Sequence, residues 1–105
     1  MGIIMRIIQQ FDPGHEHEFM ALEKKFDELE KKRADFPKGK RMQPVSANEP
    51  VNTLIWQYEF TDIETAYKTL NFFSGDEEHE ILFRQQVEFM KNIKIEFYKI
   101  LDFED

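Results

Sequence analysis

The chain has 105 residues, no cysteine and a formal net charge of −7, so we expect one domain spanning residues 1–105, and disulfides, thiolate metal sites and thiol catalysis are excluded. The acidic balance disfavours binding to nucleic-acid phosphates or anionic membranes, and no apolar run approaches the ~18 residues that a membrane helix needs. Because Phe occurs 11 times, we predict a globular protein with an aromatic core. The N-terminal stretch MGIIMRIIQQ is too short for a signal peptide and is interrupted by Arg6, so we expect a cytoplasmic location.

The first third of the chain predicts a strand followed by a helix. Residues 3–11 form a short, isoleucine-rich run typical of a buried strand, and Asp12-Pro13-Gly14 supplies a turn. Apolar residues then recur at helical steps through residues 15–35, with Glu and Lys on the opposite face. Pro37 predicts the end of this helix.

The remaining chain predicts three strands and a helical stretch that is broken once. The predicted strands are residues 39–47, 53–60 and 93–101, and the helical stretch runs from the capping box at Thr61 to about Met90. Pro44 has no N–H to donate, so the second strand should lie at an edge of the sheet. Ser74-Gly75 predicts the break in the helix.

This β-α-β-β-α-β order predicts a ferredoxin-like α+β fold with an antiparallel four-stranded sheet, in which the first and third strands are central. The first strand is apolar on both sides, with Ile3, Met5 and Ile7 on one and Ile4 and Ile8 on the other. Two helices can cover only one face of a sheet. We therefore expect a homodimer that forms through the sheet faces.

Two stretches support the same arrangement. In PGHEHEFMALEKKF (13–26), Pro-Gly precedes Glu18-Phe19 at the start of the first helix, and NTLIWQYEFTDIETA (52–66) has a Trp-containing third strand followed by an acidic cap. Both resemble the dimeric α/β-barrel superfamily, particularly its NIPSNAP-like and antibiotic-biosynthesis-monooxygenase-like members. The resemblance implies a dimeric α/β barrel with a pocket between sheet and helices in each subunit. Some such proteins are cofactor-independent oxygenases and others degrade haem, but no catalytic residue set carries over.

His15 and His17 are adjacent to glutamates, which raises the question of a metal site. Two residues that are two positions apart on a helix point about 200° away from each other, and the spacing of four in HExxH is absent. We interpret the segment as the polar start of a helix and predict no metal site and no cofactor.

His79 precedes Phe83, Val87 and Met90 at helical steps and is predicted to share their inward face. It could ligate haem iron or move a proton. The interpretation that we favour is a partly buried or interfacial histidine whose hydrogen bond is satisfied.

Trp56, Tyr58 and Phe60 form an aromatic face on the third strand. Core packing is the favoured interpretation, but such a face can also line an apolar pocket. The candidate ligand-binding residues are Trp56 and Tyr58 from the sheet, His79 and Tyr67 from the helices, and Arg6 and Gln9 as polar anchors.

These residues support two functional hypotheses. The first is a homodimer that binds or transforms a small apolar or aromatic molecule, in the manner of a cofactor-independent monooxygenase. The second is a non-enzymatic dimeric stress or regulatory module whose pocket is filled by its own side chains. A cavity above ~300 Å³ with convergent polar groups would favour the first.

The acidic net charge disfavours RNA binding. The basic run from Lys31 to Arg41 is interpreted as a solvated helix end and edge strand.

Overall fold

The computed structural model describes residues 2–103. The predicted span of 1–105 also includes Met1, Glu104 and Asp105, which lie outside the described residues. Four strands are present: β1 (Ile3–Phe11), β2 (Lys40–Met42), β3 (Thr53–Phe60) and β4 (Met90–Lys99). Three α-helices connect them: α1 (Glu16–Lys32), α2 (Ile63–Gly75) and α3 (Glu77–Gln86), with short 3₁₀ turns at Pro13–His15 and Val87–Phe89.

The sheet has the order β2-β3-β1-β4, and β1 runs antiparallel to both of its neighbours. This is the predicted α+β, ferredoxin-like arrangement, with the first and third strands central. The second strand is shorter than predicted and ends at Met42, so Pro44 lies beyond it. The last strand begins three residues earlier than predicted, at Met90.

The helix boundaries follow from local capping chemistry. Asp62 caps α2 by accepting a hydrogen bond from the backbone N of Thr65, and Asp76 caps α3 by accepting from the backbone N of His79. The N-cap of α2 is therefore Asp62, one residue after the predicted position at Thr61. The helical stretch is broken as predicted: α2 ends at Gly75, and Asp76 separates it from α3.

One face of the sheet packs against the helices and holds the core. Met5, Trp56 and Phe60 from the sheet are buried against Leu29, Phe36, Ala66 and Phe73. A second cluster at the other end of the sheet buries Phe11, Phe19 and Leu54.

No helix among residues 2–103 packs on the other face of the sheet, which we call the outer face. Ile4, Ile8 and Ile55 point to it, yet Ile8 is only 3% exposed. The connection between β2 and β3 reaches this face, because Glu49 Oε2 lies 2.8 Å from Lys94 Nζ of β4. This connection therefore covers part of the apolar outer face that we predicted a second subunit would cover.

Among residues 2–103 no helix is long and apolar enough to cross a bilayer.

Candidate functional site

A cavity of about 250 Å³ lies between the sheet and the helices. Its apolar walls come from β1, β3 and β4 on one side and from α1, α2 and α3 on the other. The aromatic lining residues are Phe26, Phe36, Trp56, Phe73 and Phe83, and the aliphatic ones are Ile7, Leu70, Ile93 and Ile95. The polar lining residues are Gln9, Glu23, Glu30, Arg41, Ser74, His79 and Glu80.

One wall of the cavity is a buried charge cluster centred on Arg41. Its Nε donates to Glu23 Oε2 at 2.6 Å, and its two terminal nitrogens donate to the carboxylate of Glu30. Asp27 accepts a further, longer bond of 3.4 Å. Burial disfavours the charged guanidinium, but the hydrogen bond to Glu30 and the charges of Glu23 and Glu30 outweigh it, so the pKa of Arg41 is raised.

Two of the three carboxylates in this cluster, those of Glu23 and Glu30, also accept hydrogen bonds from outside it. Glu30 Oε1 accepts from the backbone N of Gly39 at 3.1 Å and from Trp56 Nε1 at 3.4 Å. Glu23 Oε1 accepts from Gln86 Nε2 at 2.8 Å. Because both carboxylates are paired, the cost of burying them is offset by the network. The wall is therefore fixed before any ligand arrives.

His79 lies in the second polar part of the cavity, which is formed by the first residues of α3. Its ring stacks on Phe73 with a centroid distance of 4.8 Å and an interplanar angle of 7°, and it also contacts Phe26 and Phe36. The favoured interpretation from sequence is wrong in one respect, because the buried Nδ1 atom has no hydrogen-bond partner. Glu80 Oε1 lies 3.6 Å away, beyond hydrogen-bond distance. Burial among the phenylalanines lowers the pKa of His79, and the nearby Glu80 opposes that shift.

The basic run from Lys31 to Arg41 does not form a free anion site. Arg33 pairs with Asp35 and Asp76 at 2.8 Å and with Glu78 at 3.2 Å. Arg41 is buried in the cluster described above. The two arginines of the run are therefore neutralised by carboxylates of the same chain, and Arg33 also ties the end of α1 to the start of α3.

The structure brings together three of the six predicted ligand-binding residues. Trp56, His79 and Gln9 all line the cavity. The other three lie elsewhere. Tyr58 packs in the core between Trp56 and Phe60, Tyr67 is 54% exposed on α2, and Arg6 lies on the outer face, where its Nε donates to Gln57 Oε1.

Sequence reasoning missed Glu23, Glu30 and Arg41, although α1 carries a signal for two of them. Phe19, Glu23, Phe26 and Glu30 follow one another at steps of four, three and four, which places all four on one face of the helix. Two acids inside an apolar stripe need a buried partner. That partner comes from β2, and helical spacing alone cannot identify it.

The segment around His15 and His17 is a helix start. His15 precedes α1, and its Nδ1 lies 3.0 Å from Asp12 Oδ2. His17 is exposed on the first turn of α1. Within residues 2–103 no group of three or more His, Asp or Glu side chains is arranged to hold a metal ion.

Comparison with solved structures identifies proteins of the same architecture. A NIPSNAP family protein from Agrobacterium tumefaciens superposes with a TM-score of 0.76 at 9% identity, covering 98% of this chain and 96% of that one. A conserved protein from Methanosarcina mazei gives 0.69 at 20% identity, with coverages of 94% and 92%. A provisionally assigned antibiotic biosynthesis monooxygenase from Nitrosomonas europaea gives 0.67 at 11% identity, with coverages of 95% and 90%.

The chain shares the ferredoxin-like fold of these proteins. The resemblance seen in the sequence is thus confirmed for the fold of the single subunit. At these identities the likeness concerns the fold and not the chemistry. No protein-family model and no curated protein matches the sequence.

Proposed function

We propose that the protein binds a small apolar or aromatic molecule in the cavity between its sheet and its helices. The observation that carries this proposal is the cavity itself: about 250 Å³, lined by five aromatic side chains, with polar groups converging from two sides. The volume is slightly below the ~300 Å³ from which small-molecule clefts usually start. It exceeds the ~150 Å³ that suffices for a benzene ring in an apolar cavity, so a ligand with one ring fits.

His79 is the candidate for any proton transfer in this cavity. Its lowered pKa keeps the imidazole neutral near pH 7, and a neutral imidazole can accept a proton. A base of this kind, acting on a bound aromatic compound without a cofactor, would suit a reaction like that of cofactor-independent monooxygenases. The likeness to the protein from Nitrosomonas europaea supports this choice through its fold alone.

The second candidate function is a dimeric module without enzymatic activity. The mutual pairing of Arg41 with Glu23 and Glu30 favours it, because those groups already satisfy one another. In this view the charge cluster stabilises the fold and the cavity is a packing defect. Ligand binding distinguishes the two candidates.

We also propose that the protein forms a homodimer through its outer face. Ile4 and Ile55 are only half-buried there, and Met42 and Tyr98 are 38% and 45% exposed on the same face. No helix of residues 2–103 covers this face, so a second sheet is the simplest cover. The pairing of Arg6 with Gln57 is a polar contact inside that patch.

Titration of the intrinsic fluorescence of Trp56, the single tryptophan of the chain, tests the binding proposal. Phenethyl alcohol is a suitable probe because it carries one ring and no charge. We expect a saturable change in wild type and none in Ile7→Phe, which places a ring in the cavity. Ile4→Phe is the matched control, since Ile4 lies on the opposite face of the same strand. If Ile7→Phe shows the same saturable fluorescence change as Ile4→Phe, the ligand does not bind in this cavity.

A further inference from the structure

The charges that face the cavity do not balance. Its lining includes three carboxylates, those of Glu23, Glu30 and Glu80, but one guanidinium, that of Arg41. The lowered pKa of His79 means that its ring adds no positive charge near pH 7. Within residues 2–103 the cavity walls therefore carry an excess of negative charge.

The positive groups near the cavity are not available to an anionic ligand. Arg41 donates from all three of its nitrogens to Glu23, Glu30 and Asp27. Arg33 lies over the Phe36 ring and is paired with Asp35, Asp76 and Glu78. Lys38 points its ammonium at the backbone carbonyls of Arg33 and Phe36. A ligand carboxylate or phosphate would thus meet acids, and these three cationic side chains are already paired.

Among the three carboxylates that line the cavity, only that of Glu80 forms no salt bridge with an arginine or lysine of residues 2–103. Glu23 and Glu30 are held by Arg41, whereas the nearest cationic or ionisable nitrogen to the Glu80 carboxylate is His79 Nδ1 at 3.6 Å. Its side chain is 36% exposed, so it lies where the cavity meets solvent. An ammonium group placed there would gain a charged hydrogen bond.

The aromatic walls favour the same kind of ligand. Phe26, Phe36, Trp56, Phe73 and Phe83 all line the cavity. The faces of aromatic rings attract organic cations, and the attraction grows when the cation is removed from water. An enclosure of aromatic rings with one free carboxylate at its edge is suited to a protonated amine with an apolar body.

We propose that the cavity selects small aromatic or aliphatic amines in their protonated form over neutral or anionic molecules of the same size, with Glu80 as the group that receives the ammonium. This inference rests on the proposed function and specifies its ligand class. Three probes of nearly equal size separate the possibilities: phenethylamine, phenethyl alcohol and hydrocinnamate, which are cationic, neutral and anionic near pH 7.

The experiment is a set of three binding titrations followed by Trp56 fluorescence at constant ionic strength. We expect phenethylamine to bind about tenfold more tightly than phenethyl alcohol, and hydrocinnamate to bind more weakly than either. In Glu80→Gln the ratio of amine to alcohol affinity should fall to near one. Glu88→Gln makes the same change of net charge at an exposed residue that does not line the cavity, and it should keep the wild-type ratio.

Four outcomes would overturn the inference. If the alcohol binds as tightly as the amine in wild type, the charge selection is wrong while the proposed binding function stands. If hydrocinnamate binds as tightly as the amine, or if Glu80→Gln keeps the wild-type ratio, the assignment to Glu80 and the negative wall is wrong. If no probe binds, the proposed function fails and this inference fails with it.

Discussion

Arg41 Nε lies 2.6 Å from Glu23 Oε2, which joins the short edge strand β2 to the middle of α1. Both side chains are largely buried, with 16% and 8% exposure. A pair of this kind adds little to stability compared with an apolar pair of the same size, but losing one partner leaves an uncompensated charge in the interior. The edge strand is only three residues long, so this link is a main reason for its position.

Replacing Arg41 with Met should therefore destabilise the protein by about 3–5 kcal/mol, because Glu23 and Glu30 lose their counter-ion while side-chain volume is kept. Urea unfolding measures the change. Lys40→Met, on the exposed neighbour in the same strand, should stay within about 0.5 kcal/mol of wild type. Adding Glu23→Gln and Glu30→Gln to Arg41→Met should recover part of the loss. Equal effects of the Arg41 and Lys40 substitutions would contradict the role given to the cluster.

Gly39 has a packing role that a methyl group would disturb. A Cβ atom at residue 39 would lie 2.1 Å from Cε2 and Nε1 of the Trp56 ring. Gly39→Ala must displace that ring or the strand, and we expect a cost of about 1–3 kcal/mol together with a shift of Trp56 fluorescence. Gly75→Ala is the matched control, since nothing lies within 4 Å of the added atom. It should be neutral or stabilising by about 0.4–1 kcal/mol, and an equal loss in both variants would argue against the contact.

The buried imidazole of His79 predicts a pH dependence of stability. Burial lowers its pKa in the folded protein below the ordinary value of 6.5, whereas Glu80 and Asp76 oppose the shift. The unfolded chain therefore binds a proton more readily than the folded one, and protons favour unfolding. The free energy of unfolding should fall as the pH drops through 6.5 and level off below the folded-state pKa.

Urea unfolding at several pH values tests this dependence. His79→Leu should show a shallower decline on acidification than wild type. His17→Gln, which changes an exposed histidine of α1, should keep the wild-type slope. A decline that is unchanged in His79→Leu would show that another group is responsible.

The homodimer proposal predicts that a charge on the outer face separates the subunits. Ile4→Lys places an ammonium in the half-buried patch of β1, where burial of an unpaired charge is costly. Sedimentation velocity at micromolar concentration should show a dimer for wild type and a folded monomer for the variant. Tyr67→Lys, on the exposed surface of α2, should remain dimeric. A wild-type protein that sediments as a monomer would refute the proposal.

The order of elements was predictable because local patterns determine it. The alternation from Thr53 to Phe60 and the break at Gly75 both correspond to elements of the structure. The boundaries were less accurate. The second strand was predicted to extend to residue 47, but it ends at Met42, two residues before Pro44, which has no N–H to donate.

The sequence by itself determined the fold class, the central positions of the first and third strands and the aromatic character of the interior, because periodicity and β-propensity act over a few residues. Only the tertiary structure decided that Tyr58, Tyr67 and Arg6 lie away from the cavity that Trp56, His79 and Gln9 line. It also decided that Arg41 is enclosed by Glu23 and Glu30. The physical reason is that charge pairing and enclosure depend on distances between elements, and those distances are set when the helices pack on the sheet.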